Sequence, residues 1–212
     1  MGMNEYELGT GWYRRWTKQA FGWTLLAVLA LFCLIGVFTV FFDIVLLKIG
    51  CIYVYFAMFL ETLLLYFTYA RLRVKGLGVI LFGITGAVGI PMDLYFEWIA
   101  ERNLSSPSGA VGWFIAFFLM GLSADLSLWL LRPEENEGTA MTVSATIFSE
   151  TVIVVNTIAL GLFYTNPGWP RDFLKFGYFL IPYAIITGAL GGYIGWHLAD
   201  DLSSFLKKAF KL

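Results

Sequence analysis

The chain has 212 residues, of which 59% are hydrophobic and 14% charged, and its formal net charge is -1. An ordinary soluble domain is roughly 45–50% apolar and about 25% charged. With a mean hydropathy of +0.75, such a soluble domain is excluded and an integral membrane protein is left, with lipid rather than nucleic acid as the expected surroundings.

Residues 1–19 are polar and aromatic and end in Arg14, Arg15 and Lys18. With Trp12, Tyr13 and Trp16 among these cations, the segment suits the headgroup level of a bilayer. No small-residue cleavage site follows the first apolar run, so no cleavable signal peptide is expected. Six apolar runs follow, at about 20–42, 51–70, 76–95, 110–131, 141–164 and 173–198. A bilayer crossing takes roughly 18–20 apolar residues, so each run is predicted to be a transmembrane helix. The breaks between runs are polar: Arg71, Arg73 and Lys75 after the second, 101–109 after the third, 132–138 after the fourth, and 165–172, with two prolines, after the fifth. A tail with Lys207, Lys208 and Lys211 closes the chain. The expected organisation is an interfacial segment at 1–19, a six-helix transmembrane domain at 20–199 and a basic tail at 200–212. The fold class is an all-α integral membrane bundle.

Lysine and arginine give the orientation. The segments before the first span, between the second and third, between the fourth and fifth, and after the sixth carry ten of the fourteen Lys and Arg residues. The opposite loops carry Lys48, Arg102, Arg171 and Lys175. The positive-inside rule then places both termini in the cytoplasm and the protein in the cell membrane.

The chemically informative residues are carboxylates within apolar runs, where a charge costs at least roughly 2.5–3.5 kcal/mol at the bilayer centre. Glu150 is the deepest, nine residues past Met141, and no lysine or arginine in the spans is an obvious partner for it. Its expected state is protonated, bonded to a polar side chain, or awaiting a cationic ligand. Glu61 lies within the second span and Asp125 within the fourth, seven residues before Arg132. Asp125 reads as a structural hydrogen bond or a pairing at the cytoplasmic surface. Asp93 and Glu97 are four apart and share a helix face near the outer end of the third span. Tyr95, Trp98 and Trp113 are close in sequence, a setting that suits a cationic or amino-substituted aromatic ring. Asn156 and Tyr183 add polar groups in the outer half. Glycines at 83, 86 and 89, and at 188, 192 and 195, read as close helix packing.

Signatures of enzymes are missing. One histidine, His197, cannot build a bis-histidine haem or multi-histidine metal site. The sequence has no Walker A loop, nucleophile elbow or zinc-protease helix. Cys33 and Cys51 are packing residues, with no ligand spacing or disulfide framework between them. No catalysis, cofactor or metal is therefore expected.

From about residue 76 onward the chain resembles the substrate-binding membrane subunits, or S components, of energy-coupling factor transporters. It is most similar to the YkoE type, linked to thiamine or its hydroxymethylpyrimidine precursor. The likeness rests on Asp93 and Glu97 near a span end, Pro107-Ser108-Gly109 opening the next span, and Gly121-Leu122-Ser123-Ala124-Asp125 followed by Arg132. In the last span it rests on Gly188-Ala189-Leu190, Gly192, Gly195, Asp200 and Leu202, with a slip of one residue. Many S components carry Ala-x-x-x-Ala in the first span for docking to the coupling subunit; here Ala27 and Ala30 stand three apart. The resemblance implies uptake of a vitamin or vitamin precursor from outside, with a transmembrane coupling subunit and two ATPases as partners. It implies a pocket toward the outer face, which favours Asp93, Glu97, Trp113, Asn156 and Tyr183, with Glu150 deeper. Two other readings stand beside it. One is a proton- or cation-coupled carrier or channel with Glu61, Glu150 and Asp93 as a relay, and the other is a non-transporting subunit of a larger complex.

Overall fold

A polypeptide in lipid must satisfy every backbone polar group within itself, and segments that are apolar all round do so as helices. The computed structural model describes residues 12–40, 52–100, 107–163 and 169–210. Within these, side chains are described except at 36–40, 52–57, 92–100, 107–111, 113, 156, 157, 159–163, 169–178 and 203–210. The helices are α1 (Lys18–Val40), α2 (Ile52–Leu72), α3 (Leu77–Ala100), α4 (Pro107–Leu131), α5 (Glu137–Phe163) and α6 (Trp169–Phe210). Four stretches are long and apolar enough to cross a membrane: Lys18–Ile35, Phe114–Leu131, Glu137–Val155 and Phe179–Leu202. A shorter apolar helix covers Leu77–Pro91. The chain is thus a multi-pass, all-helical membrane protein. α6 continues without a break through Asp200 to Phe210, so the basic tail extends the last helix rather than starting a new segment.

Local chemistry sets the helix ends at the basic side. Thr17 Oγ1 accepts from Ala20 N at 3.0 Å and caps α1. Asn136 Oδ1 accepts from Thr139 N at 3.0 Å and caps α5, with Glu137 in the first turn. At the opposite end Pro107 opens α4, a position where its missing N–H costs nothing. α2 and α4 each end in Leu-Arg, and both arginines take left-handed backbone conformations, Arg73 at φ 54° and Arg132 at φ 48°.

The helices pack in the cyclic order α1–α2–α6–α5–α4–α3, closing from α3 back to α1, and α2 also touches α5 across the ring. The N-terminal segment, the α2–α3 turn and the start of α5 meet at one end. Arg14 N donates to Arg73 O at 2.6 Å, Trp16 Nε1 donates to Lys75 O at 2.9 Å, and Arg73 pairs with Glu137 at 2.8 Å. Trp196 of α6 lies against Gly138 at this same end. Trp12, expected at headgroup level, is buried and lies under the Arg73 guanidinium, 5.8 Å from its ring centroid.

Small residues decide which helices approach most closely. On α6, Gly188 and Gly192 face α5, where a Cβ would run into Ala145, Ser149 and Met141. Gly191 and Gly195 face α2 and would meet Thr62, Leu63 and Phe67. α6 is therefore a two-sided wedge. The α3 glycines depart from the expectation: Gly86 packs on Phe114 and Phe117, but a Cβ at Gly83 or Gly89 would meet nothing within 4 Å. The close α3–α4 contact is made instead by Gly78 against Gly121, whose backbones nearly touch. Outward positions stay apolar, as lipid requires: Phe21, Leu26 and Leu29 on α1, Trp129 and Leu130 on α4, and Phe179 and Ile186 on α6 are all exposed.

Candidate functional site, a polar ladder ending at Glu61

α2 carries Thr62, Tyr66 and Tyr69 at spacings of four and three, which places them along one stripe, and Arg73 follows just past the helix end. Each finds a partner on another helix. Thr62 Oγ1 and Ser149 Oγ are 3.1 Å apart. Tyr66 OH lies 2.7 Å from Ser144 Oγ, which is itself 2.5 Å from Ser127 Oγ. Tyr69 OH donates to Asp125 Oδ1 at 2.5 Å and accepts from Gly78 N at 3.0 Å. Arg73 reaches Glu137. The ladder ties α2 to α5, α4 and the start of α3 with buried hydrogen bonds rather than with apolar packing alone.

Asp125 has the structural role expected of it, though without a basic partner among its hydrogen bonds. Its Oδ2 accepts from Val79 N at 2.8 Å and its Oδ1 from Gly78 N at 3.4 Å. These are orphan donors of the first turn of α3, and a carboxylate there is favoured by both the N–H groups and the helix dipole. Beside it opens a cleft of about 260 Å³ lined by Tyr13, Lys75, Asp125, Leu126 and Trp129, among others. The Lys75 ammonium stands 5.2 Å from the Tyr13 ring centroid. Burial pushes the Tyr13 hydroxyl from its ordinary 10.0 up to about 12, helped by the negative charges of Asp125 and Glu134.

At the other end of the ladder sits Glu61, only 3% exposed. Its Oε2 is buried with no hydrogen-bond partner. Glu150 follows Ser149 on α5, is half-buried, and has one buried oxygen, Oε1, without a partner. The antiparallel register pairs Arg73 with Glu137, Tyr66 with Ser144 and Thr62 with Ser149, so Glu61 and Glu150 lie at one depth. They turn away from the Thr62–Ser149 contact in opposite directions, because each is one residue, or about 100°, off it along antiparallel helices.

The sequence-predicted outer residues fare differently. Tyr183 is half-buried against the core on α6, and its carbonyl accepts from Thr187 Oγ1. The side chains of Asp93, Glu97, Trp113 and Asn156 lie outside the described residues. For Asp93 and Trp113 the helix register gives the backbone level: Gly86 opposite Phe114 and Phe117, and Gly78 opposite Gly121, fix how α3 and α4 align. That register puts Trp113 near the level of Gly86 and 87, about 9 Å along α3 from Asp93. Of the two alanines proposed for docking, Ala27 is buried inside the bundle and Ala30 faces outward. Among the described residues no group of three or more His, Cys, Asp or Glu could hold a metal ion. No protein-family model, curated protein or solved structure matches the chain.

Proposed function

We propose that the protein is the membrane-embedded solute-binding subunit of an importer, of the S-component kind, for a vitamin or vitamin precursor such as thiamine or hydroxymethylpyrimidine. The observation that carries the reading is the asymmetry of the bundle along its axis. One end is closed by the Arg14–Arg73 and Trp16–Lys75 bonds, the Arg73–Glu137 pair and the Asp125 cap of α3. The carboxyls with unpartnered oxygens, Glu61 and Glu150, lie beyond that closure. A solute would then approach from the opposite end, where the sequence places Asp93 and Glu97. The cation bias makes the closed end cytoplasmic, so six spans with both termini inside and a cell-membrane location follow as part of the same reading. The closed inner side supports a binding subunit that works with a coupling subunit and ATPases.

The test is a calorimetric titration of the purified protein with thiamine, hydroxymethylpyrimidine and other vitamins, beside uptake in proteoliposomes. Binding without autonomous uptake supports the reading. Uptake driven by a pH gradient in the absence of ATP would replace it with a proton- or cation-coupled carrier.

A further inference from the structure

Glu61 has no explanation in the packing of the bundle. Every hydroxyl below it on the ladder is bonded, so the sequence supplies partners on this stripe where structure needs them. Leaving a buried polar atom unpaired costs about 1–3 kcal/mol. Burying a bare carboxylate costs several kcal/mol more unless a cation faces it.

The elements around α2 show what faces Glu61. α6 covers the Thr62, Leu63 and Phe67 side of α2 through Gly191 and Gly195. α5 covers the Thr62 and Tyr66 side. At 100° per residue Glu61 turns out of both sectors, with Leu65 and Thr68, and away from Tyr69, which reaches α4 and the start of α3, toward the side where α1 packs on α2. The inner face of α1 offers Ala20, Thr24, Ala27, Val28 and Leu31, all buried. Thr24, the polar member, gives its hydroxyl to Ala20 O. The titratable and charged side chains of the packed elements, among the described residues, are Lys18 and Cys33 on α1, Asp125 on α4, Glu137 and Glu150 on α5, and Tyr183, Tyr193, His197, Asp200 and Asp201 on α6. On α2 itself they are Tyr66, Tyr69 and Arg71. None of them bonds Glu61 Oε2. Arg71, the cation on the same helix, is ten residues and so about 15 Å away along the axis.

We propose that Glu61 is an intramembrane proton-binding site: one proton resides on its carboxyl in this packed arrangement, and the α1 face keeps it from exchanging with water. The ligand is the proton itself, since Glu61 Oε2 is buried without a hydrogen-bond partner and, among the described residues, no cation is bonded to it. Release leaves a carboxylate and sends the proton to water, so it requires water or a cation to reach the α1–α2 seam. A movement of the bundle that opens this seam would then be linked to proton uptake or release, whatever solute the protein carries.

The experiment is labelling of the full-length protein in detergent with N,N′-dicyclohexylcarbodiimide, which partitions into apolar sites. The carboxyl oxygen bonds the carbodiimide carbon while the carboxyl proton passes to a carbodiimide nitrogen, with nothing leaving, so only the acid reacts. Mass spectrometry of the Glu61 peptide should show the adduct, decreasing several-fold between about pH 6 and about pH 9, and a water-soluble carbodiimide should label exposed Glu134 and Glu135 but not Glu61. The melting temperature supplies a second readout that does not need the adduct. A neutral acid in the fold binds more protons than the unfolded chain at neutral pH, so stability falls as pH rises. Glu61→Gln, which keeps the shape and removes the titration, should melt at or above the wild type and show a shallower fall. Absence of the adduct at Glu61, an adduct that grows with pH, equal labelling by the water-soluble reagent, or an unchanged pH slope in Glu61→Gln would each overturn the proposal.

Discussion

Asp125 shows how one carboxylate can hold three elements. It accepts from Tyr69 of α2 and from two backbone N–H groups that open α3, while itself belonging to α4. Asp125→Ala should lower stability by about 2–4 kcal/mol, since a cap and a buried acceptor are lost together; thermal unfolding in detergent measures it. Asp125→Asn should unfold earlier as well but leave any solute affinity nearly unchanged, because the residue sits at the closed end. In contrast, Asp93→Asn or Glu97→Gln should weaken solute binding roughly 10–150-fold by calorimetry, the loss of one charge-assisted hydrogen bond of about 1.5–3 kcal/mol. Tyr13 provides a pH signature at the same end. Its folded hydroxyl titrates at about 12 against an ordinary 10.0. The stability it contributes is therefore intact below pH 10.0 and is lost as pH rises toward about 12. Tyr13→Phe should lose that component of the alkaline destabilisation, as melting temperatures across this range would show. In the sequence, Asp125 was legible as a structural group near a basic surface. The identity of its partners was not, since Tyr69 and Gly78 are 56 and 47 residues away.

Helix pairs are governed by where a side chain can be absent. Gly121 and Gly78 face each other so closely that a Cβ on either would collide with the other's backbone. Gly121→Ala should separate α3 from α4 and lower the melting temperature clearly, with an effect on the order of 1–3 kcal/mol from overpacking. Gly83→Ala is the matched control. Nothing lies within 4 Å of its Cβ position, and alanine stabilises a helix interior by roughly 0.5–1 kcal/mol over glycine. Equal losses in the two variants would contradict the packing described. From sequence, the three-residue glycine spacing of α3 suggested an interface, and only Gly86 makes one. Spacing marks a face but cannot say which neighbour occupies it. The α6 glycines at 188, 192 and 195 were legible as close packing, but that they divide between α5 and α2, with Gly191 joining the α2 side, is visible only in the fold. The polar stripe of α2 had a signal too, in the spacing of Thr62, Tyr66 and Tyr69, which tyrosine and threonine conceal by passing for ordinary span residues.

For the whole molecule, the ring of helices and the gathering of basic segments at one end make topology testable. A reporter fused after Leu212 should be active only in the cytoplasm and one at Ser106 only outside. The opposite result would turn the closed end outward and remove the basis for solute entry from the Asp93 side. The sequence by itself determined the class: apolar runs of bilayer length must be helices, because lipid leaves backbone groups no other partners. It also sorted the cations to alternate connections, a property of the chain in order and not of its folding. The tertiary structure alone decided the cyclic order of the helices, the burial of Trp12 under Arg73, and the contrast between a bonded Asp125 and a Glu61 with a buried, unpaired Oε2. The physical reason is that a span of nearly uniform hydropathy has no strong inward face. Orientation about each helix axis is then set by small-residue contacts and hydrogen bonds between segments far apart in sequence, and both kinds of contact exist only once the partner helix is in place.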